Sequence, residues 1–187
     1  MKTLIMAAVL AVAAVAQAEC KIGTVDMLKL VRNHASYDSN RTLLTETQKD
    51  YQKKIDRMKD EIDSIQEEGK KLSEKLRNPM LAAAAKTKTE KEMAEVQSKY
   101  LNAQQRFRTE AMRSEQELAD LEARLLKATT EDLTAKLQTF AEANGYDLIV
   151  NVTACPFASP KLDVTTDVLK SMGIEGDNIK EFGDEGK

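Results

Sequence analysis

The sequence predicts a mainly α protein with a small β body: a long antiparallel coiled-coil helical hairpin projecting from a short-stranded sheet. Three observations predict it. Within residues 40–143, apolar residues recur at steps of three and four on both sides of one interruption at Asn78-Pro79. That pair stops one helix and suits the cap and first position of another. Short segments rich in branched residues flank the periodic stretch on both sides, at residues 21–27 and 146–152. They read as strands that an antiparallel helix pair can bring together.

The outgoing arm carries Leu44, then Tyr51, Ile55, Met58, Ile62, Ile65, Gly69, Leu72 and Leu76. From Tyr51 onward this is a heptad seam, with Gly69 as a gap and a locally weaker turn of helix. The returning arm carries Met93, Val96, Tyr100, Ala103, Phe107, Ala111, Ser114, Leu118, Leu121 and Leu125, and consecutive steps of four at Phe107 mark a stutter. One narrow seam per helix means that each arm needs a partner. The other faces are crowded with charge, including acid-before-base pairs four apart such as Asp50 with Lys54, Glu67 with Lys71 and Glu95 with Lys99. Such pairs keep a solvated face helical.

Around the hairpin the chain divides into a leader at 1–18, a first strand and short helix at 19–35, and the arms at 36–143 with a tip near 78–86. A second strand and short helix follow at 144–172, then an acidic Gly-rich tail, expected to be flexible, at 173–187. Lys2, an apolar run over residues 4–16 and Ala16-Gln17-Ala18 make a secretory leader cut after Ala18, which implies export to the periplasm. The apolar run is too short to span a membrane. Glu19 stands before Cys20 where a lipoprotein leader would carry a small residue. Ser36, Asp38 and Ser39 are the candidate caps of the outgoing helix, and Thr165 or Thr166 of the last short helix.

No Trp, 4% aromatic and 32% charged residues leave little material for one large core. The formal charge is −3, one unit more negative once Lys2 leaves with the leader, so nucleic acid is not the expected partner. Charge is nonetheless unevenly placed. The tip holds Lys70, Lys71, Lys75, Arg77, Lys86, Lys88 and Lys91 against Glu74 and Glu90, a net +5, and the tail carries a net −3. A basic tip can steer toward acidic surfaces, anionic lipid among them, or merely keep an exposed turn soluble.

One histidine, His34, and two cysteines supply neither a four-ligand metal set nor a nucleophile with its base, and no Gly-rich phosphate loop or nucleophile elbow occurs. The chain is therefore read as a non-enzyme with no cofactor and no metal, His34 being a surface or capping residue. If the two flanking strands pair antiparallel, Cys20 at the outer start of one lies near Cys155 beyond the outer end of the other. An exported chain then favours an intrachain Cys20–Cys155 disulfide, the alternatives being a bond between subunits or two free thiols.

Lys21-Ile22-Gly23-Thr24-Val25-Asp26-Met27 after a leader, a charged helical hairpin, Tyr146-Asp147-Leu148-Ile149-Val150 and Asp163-Val164-Thr165-Thr166-Asp167-Val168-Leu169 together resemble the Skp family (OmpH-like) of periplasmic chaperones. The order and spacing of these segments carry the resemblance over nearly the whole mature chain. It implies a homotrimer, a "jellyfish" of three helical arms around a cavity, that holds unfolded outer-membrane proteins without ATP and keeps them soluble for delivery. On that reading the inner faces of the arms bind clients, with Met58, Met93 and Met112 as adaptable contacts. Ordinary seam packing is the competing role, and the better one for Met58 and Met93. The competing function is a structural or tethering coiled coil of the cell envelope.

Overall fold

The computed structural model describes residues 20–180. The proposed leader and residues 181–187 of the acidic tail lie outside the described residues. In chain order the elements are β1 (Ile22–Val25), α1 (Met27–Arg32), α2 (Tyr37–Leu76), α3 (Ala83–Asn144), β2 (Leu148–Asn151) and α4 (Thr165–Ser171), with short 3-10 turns after β2, before α4 and after α4.

Two compact units divide the chain. Residues 31–134 form one, and of the described residues 20–30 together with 135–180 form the other.

In the first unit, α2 and α3 pack antiparallel along the predicted seam. Each step forward on α2 meets a step back on α3: Tyr51 reaches Glu117, Lys54 reaches Glu110, Glu61 reaches Arg106 and Gln66 reaches Tyr100. All nine predicted outgoing positions, Leu44 to Leu76, are half-buried, and α2 has no fully buried residue. The deepest positions belong to α3, at Thr89, Val96, Ala103, Ser114, Thr129 and Leu133. The seam thus runs past Leu125, the last position expected from the sequence, because Thr129 and Leu133 continue the spacing. A two-helix seam cannot bury both partners fully, so the hairpin has a stripe for a core rather than a centre.

At the tip, Asn78 does not cap α3. Its Oδ1 accepts the Met80 N–H at 3.0 Å and its carbonyl accepts from Leu81, closing a tight turn before the helix begins at Ala83. One turn into the helix, the Thr87 hydroxyl turns back to the Ala83 carbonyl. Ser36 occupies the cap position of α2 but its hydroxyl caps no backbone N–H of the helix, being engaged by His34 and the Asn40 side chain.

In the second unit, β1 and β2 pair in parallel, Ile22 opposite Leu148 and Val25 opposite Asn151. This corrects the antiparallel expectation. The reason is a local contact between the end of α3 and the residue before β1. The C-terminal end of α3 delivers the chain to Lys21, whose Nζ donates to the Asn144 carbonyl at 2.8 Å and whose backbone N–H donates to Asp147. β2 therefore starts beside the start of β1 and runs the same way. Asp163 bridges the other edge of β1 at Thr24, and Val164 donates to the Thr24 carbonyl.

The core of this unit is Val25, Leu30, Phe140, Val164, Val168 and Leu169. Phe140 stacks on Tyr146 at 5.8 Å, and Lys21 Nζ sits 4.0 Å above the Tyr146 ring. Gly23 allows that packing, since a Cβ there would meet Tyr146 at 3.2 Å and Val164 at 3.3 Å. α4 is not capped by a threonine at its start. Asp163 Oδ1 accepts both the backbone N–H and the hydroxyl of Thr165, and the Thr165 hydroxyl in turn accepts from the Asp26 N–H.

With the strands parallel, Cys20 precedes β1 at the end where β2 begins, whereas Cys155 lies beyond the end where β2 finishes. Both are free thiols. The expected intrachain bond depended on antiparallel strands and is not formed.

Candidate functional site

The hairpin presents a set of surfaces, and its side chains sort by whether the seam claims them. Met58 and Met93 are half-buried in the seam. Met93 also lines a gap of 180 Å³ with Ile65, Gln66, Val96 and Tyr100, at the level where Gly69 supplies no side chain. Met112 faces away from the seam and is 73% exposed, as are Leu101 at 65% and Leu126 at 54%. Of the three methionines, only Met112 is on an open face.

The seven basic tip residues are all exposed. Lys70 pairs with Glu67 at 2.5 Å and Lys88 reaches Glu92 at 3.9 Å. Contact with Glu67 raises the Lys70 ammonium above its ordinary range and holds the Glu67 carboxyl below its own. Lys71 adds its charge to the same Glu67 carboxyl, whereas Lys75, Arg77, Lys86 and Lys91 have no acidic partner among the described residues. Met80 protrudes between the two helices that bear them and is 89% exposed.

The middle of the hairpin is tied by polar contacts that the sequence analysis did not anticipate. Lys54, expected to serve Asp50 along its own helix, instead meets Glu110 across the seam at 2.5 Å, and Asp50 takes Lys53. Glu110 also receives Arg113, and its carboxyl is held below the ordinary range, first by the Lys54 hydrogen bond. Tyr51 donates to Glu117 at 2.7 Å, which pushes the phenol above its usual range. Beside them Glu117, Asp120, Leu121 and Arg124 line an open groove of 390 Å³.

His34 is neither a free surface group nor a cap. Its side chain is 11% exposed, with Nδ1 2.8 Å from Ser36 Oγ and Nε2 2.7 Å from Asp132 Oδ2. The Ser36 backbone N–H also points at Nδ1, which makes Nδ1 an acceptor and Nε2 the donor to Asp132. The Ser–His–Asp order resembles that of a hydrolase, but the Ser36 hydroxyl is also within reach of Asn40 and Thr129 and faces α3. The group clamps the start of α2 to α3. Among the described residues no three His, Cys, Asp or Glu side chains could hold a metal ion, and no helix is long and apolar enough to cross a membrane.

A parallel two-stranded body and a long seamed hairpin are thus joined in one chain in the order β, hairpin, β. The family model described as outer membrane protein (OmpH-like) matches residues 21–172. The chain belongs to the OmpH-like family. The match covers both strands, the whole hairpin and α4, so it takes in every surface described above. No curated protein matches the chain. The OmpH-like family is one of periplasmic chaperones associated with outer-membrane proteins, not of enzymes.

Proposed function

We propose that this OmpH-like protein is an ATP-independent periplasmic holdase that binds unfolded outer-membrane proteins between helical arms and keeps them soluble for delivery to the outer membrane. The carrying observation is the thinness of the seam: α2 has no fully buried residue, so the arms spend few apolar groups on each other. Their outward faces are left free for weak, numerous and rapidly exchanged contacts, which let a client keep much of its chain entropy. The chain is exported by its leader, cleaved after Ala18.

The working unit is a homotrimer. Ile22 and Leu148, register partners at the start of the sheet, are 41% and 49% exposed, and β2 is paired on one edge only among the described residues. So small a sheet with apolar residues in the open gains by assembly with other copies. The test is dilution of a urea-unfolded β-barrel protein into buffer without ATP. Suppression of aggregation at about one client per trimer supports the holdase; a tethering coiled coil of the envelope leaves aggregation unchanged.

A second reading concerns the tip alone. Four basic side chains without acidic partners among the described residues, Lys75, Arg77, Lys86 and Lys91, around an exposed Met80 suit an anionic lipid surface. It predicts vesicle binding that requires anionic lipid and disappears when Lys70, Lys71, Lys75 and Arg77 are neutralised, and it is compatible with the first.

A further inference from the structure

One face of α3 breaks the charged pattern of the arms. At about 100° per residue, the positions on the same side as Leu101 and Met112 between residues 94 and 119 form a continuous strip, turned well away from the seam. Leu101 and Met112 are its large apolar groups and Ala94 and Ala119 its ends. Between them stand Ser98, Asn102, Gln105, Thr109 and Gln116. All nine residues are exposed, and none is charged, in a chain with 32% charged residues. Charge resumes at the edges of the strip, with Arg108 and Glu115 on one side and Arg113 and Asp120 on the other.

The polar groups of the strip are also uncommitted. Ser98, Asn102, Gln105 and Thr109 have no side-chain hydrogen bond among the described residues, whereas Thr87, Thr130 and Thr139 on the same helix turn their hydroxyls back to the backbone. Gln116 donates to Asp120 and keeps its carbonyl oxygen free.

We propose that this neutral strip is where the arm receives its client, and that the client lies along it as an extended chain, one transmembrane β-strand of an unfolded outer-membrane protein at a time. The proposal rests on the holdase reading. An unfolded strand alternates apolar and polar side chains and carries unpaired backbone N–H and C=O groups. Leu101 and Met112 meet the apolar side chains, and the amides and hydroxyls between them meet the backbone. The length fits. Residues 94–119 span roughly 38 Å at 1.5 Å per residue, and a ten-residue strand spans roughly 33 Å.

A helix from a second copy is the other conceivable occupant. It would bury Ser98, Gln105 and Gln116 at positions where a coiled-coil seam needs apolar groups, at a cost in stability. A lipid headgroup or nucleic acid would find no cation on the strip. The neutrality also implies that capture by this face changes little with salt, since there is no charge pair to screen.

The test compares the full chain with Leu101→Glu/Met112→Glu, which installs good helix formers, and with Gln48→Glu/Ser64→Glu, which adds the same charge at exposed positions of α2. The probe is a urea-unfolded β-barrel protein at low and high salt. The strip variant is expected to bind about tenfold more weakly and the control within about twofold, with helicity and mass unchanged and little effect of salt on the wild type. Equal binding by both variants while the wild type still binds overturns the strip and spares the holdase. A fall in mass of the strip variant overturns it in favour of an interface between copies, and a wild type that binds no unfolded chain overturns both.

Discussion

Lys54 Nζ lies 2.5 Å from Glu110 Oε1 and joins the two arms of the hairpin near their middle. Glu110 is the acid of that contact and its pKa is lowered, chiefly by the Lys54 hydrogen bond. An acid whose folded pKa is depressed stabilises the fold above its unfolded value and loses that contribution as pH falls through the folded one. The melting temperature of the hairpin is therefore expected to hold from neutrality down to the ordinary carboxylate range and to fall below it. In Glu110→Gln, that acid-side loss should be smaller when followed by circular dichroism. Tyr51 acts with the opposite sign. Its raised pKa, caused first by the bond to Glu117, confers stability present below the ordinary phenol range and lost as pH rises through the folded value.

Gly69 interrupts the seam without any need for positive φ. A Cβ at that position would find only Val96 Cγ1 at 3.5 Å, an ordinary contact, beside the 180 Å³ gap. Gly69→Ala should raise stability by about 0.5–1 kcal/mol in urea unfolding. A loss of stability would mean that the gap holds something the helix needs.

Gly23 is the opposite case. Its Cβ would press on the Tyr146 ring and on Val164 inside the packed body, so Gly23→Val should cost roughly 1–3 kcal/mol. Urea unfolding followed by tyrosine fluorescence checks it, and an unchanged midpoint would contradict the packing described.

The two free cysteines carry a chemical prediction. With parallel strands, Cys20 and Cys155 should both titrate with a thiol reagent in the unfolded purified chain, and Cys20→Ser/Cys155→Ser should melt within about a degree of the wild type. A thiol count of zero, restored by reductant with no change in mass, would require the strands to be rearranged.

The seam was legible because its signal is local. A step of three or four is written into every turn from Tyr51 to Leu76, and each of those positions is half-buried. The direction of β2 was not, since it depends on the contact between Lys21 and Asn144, 123 residues apart, which no spacing near β2 encodes. His34 failed for a related reason: Asp132 stands 98 residues away, and only the hairpin register brings the two together. The exchange of Asp50 for Glu110 as the partner of Lys54 turned on side-chain reach across the seam rather than on spacing along one helix. Thr129 and Leu133 continue the apolar spacing and could have been read, had a threonine been accepted at a seam position. The uncharged strip from Ala94 to Ala119 was readable too, but as an absence of charge at helical spacing, which a search for apolar residues passes over.

Arms that leave their surfaces free for an unfolded guest are the centre of the proposed mechanism. Sedimentation of the mature protein, alone and after addition of a urea-unfolded β-barrel chain without ATP, tests it most directly. Three copies alone, and three copies with one soluble client after mixing, are the masses predicted. A monomer that leaves the client to pellet would contradict it.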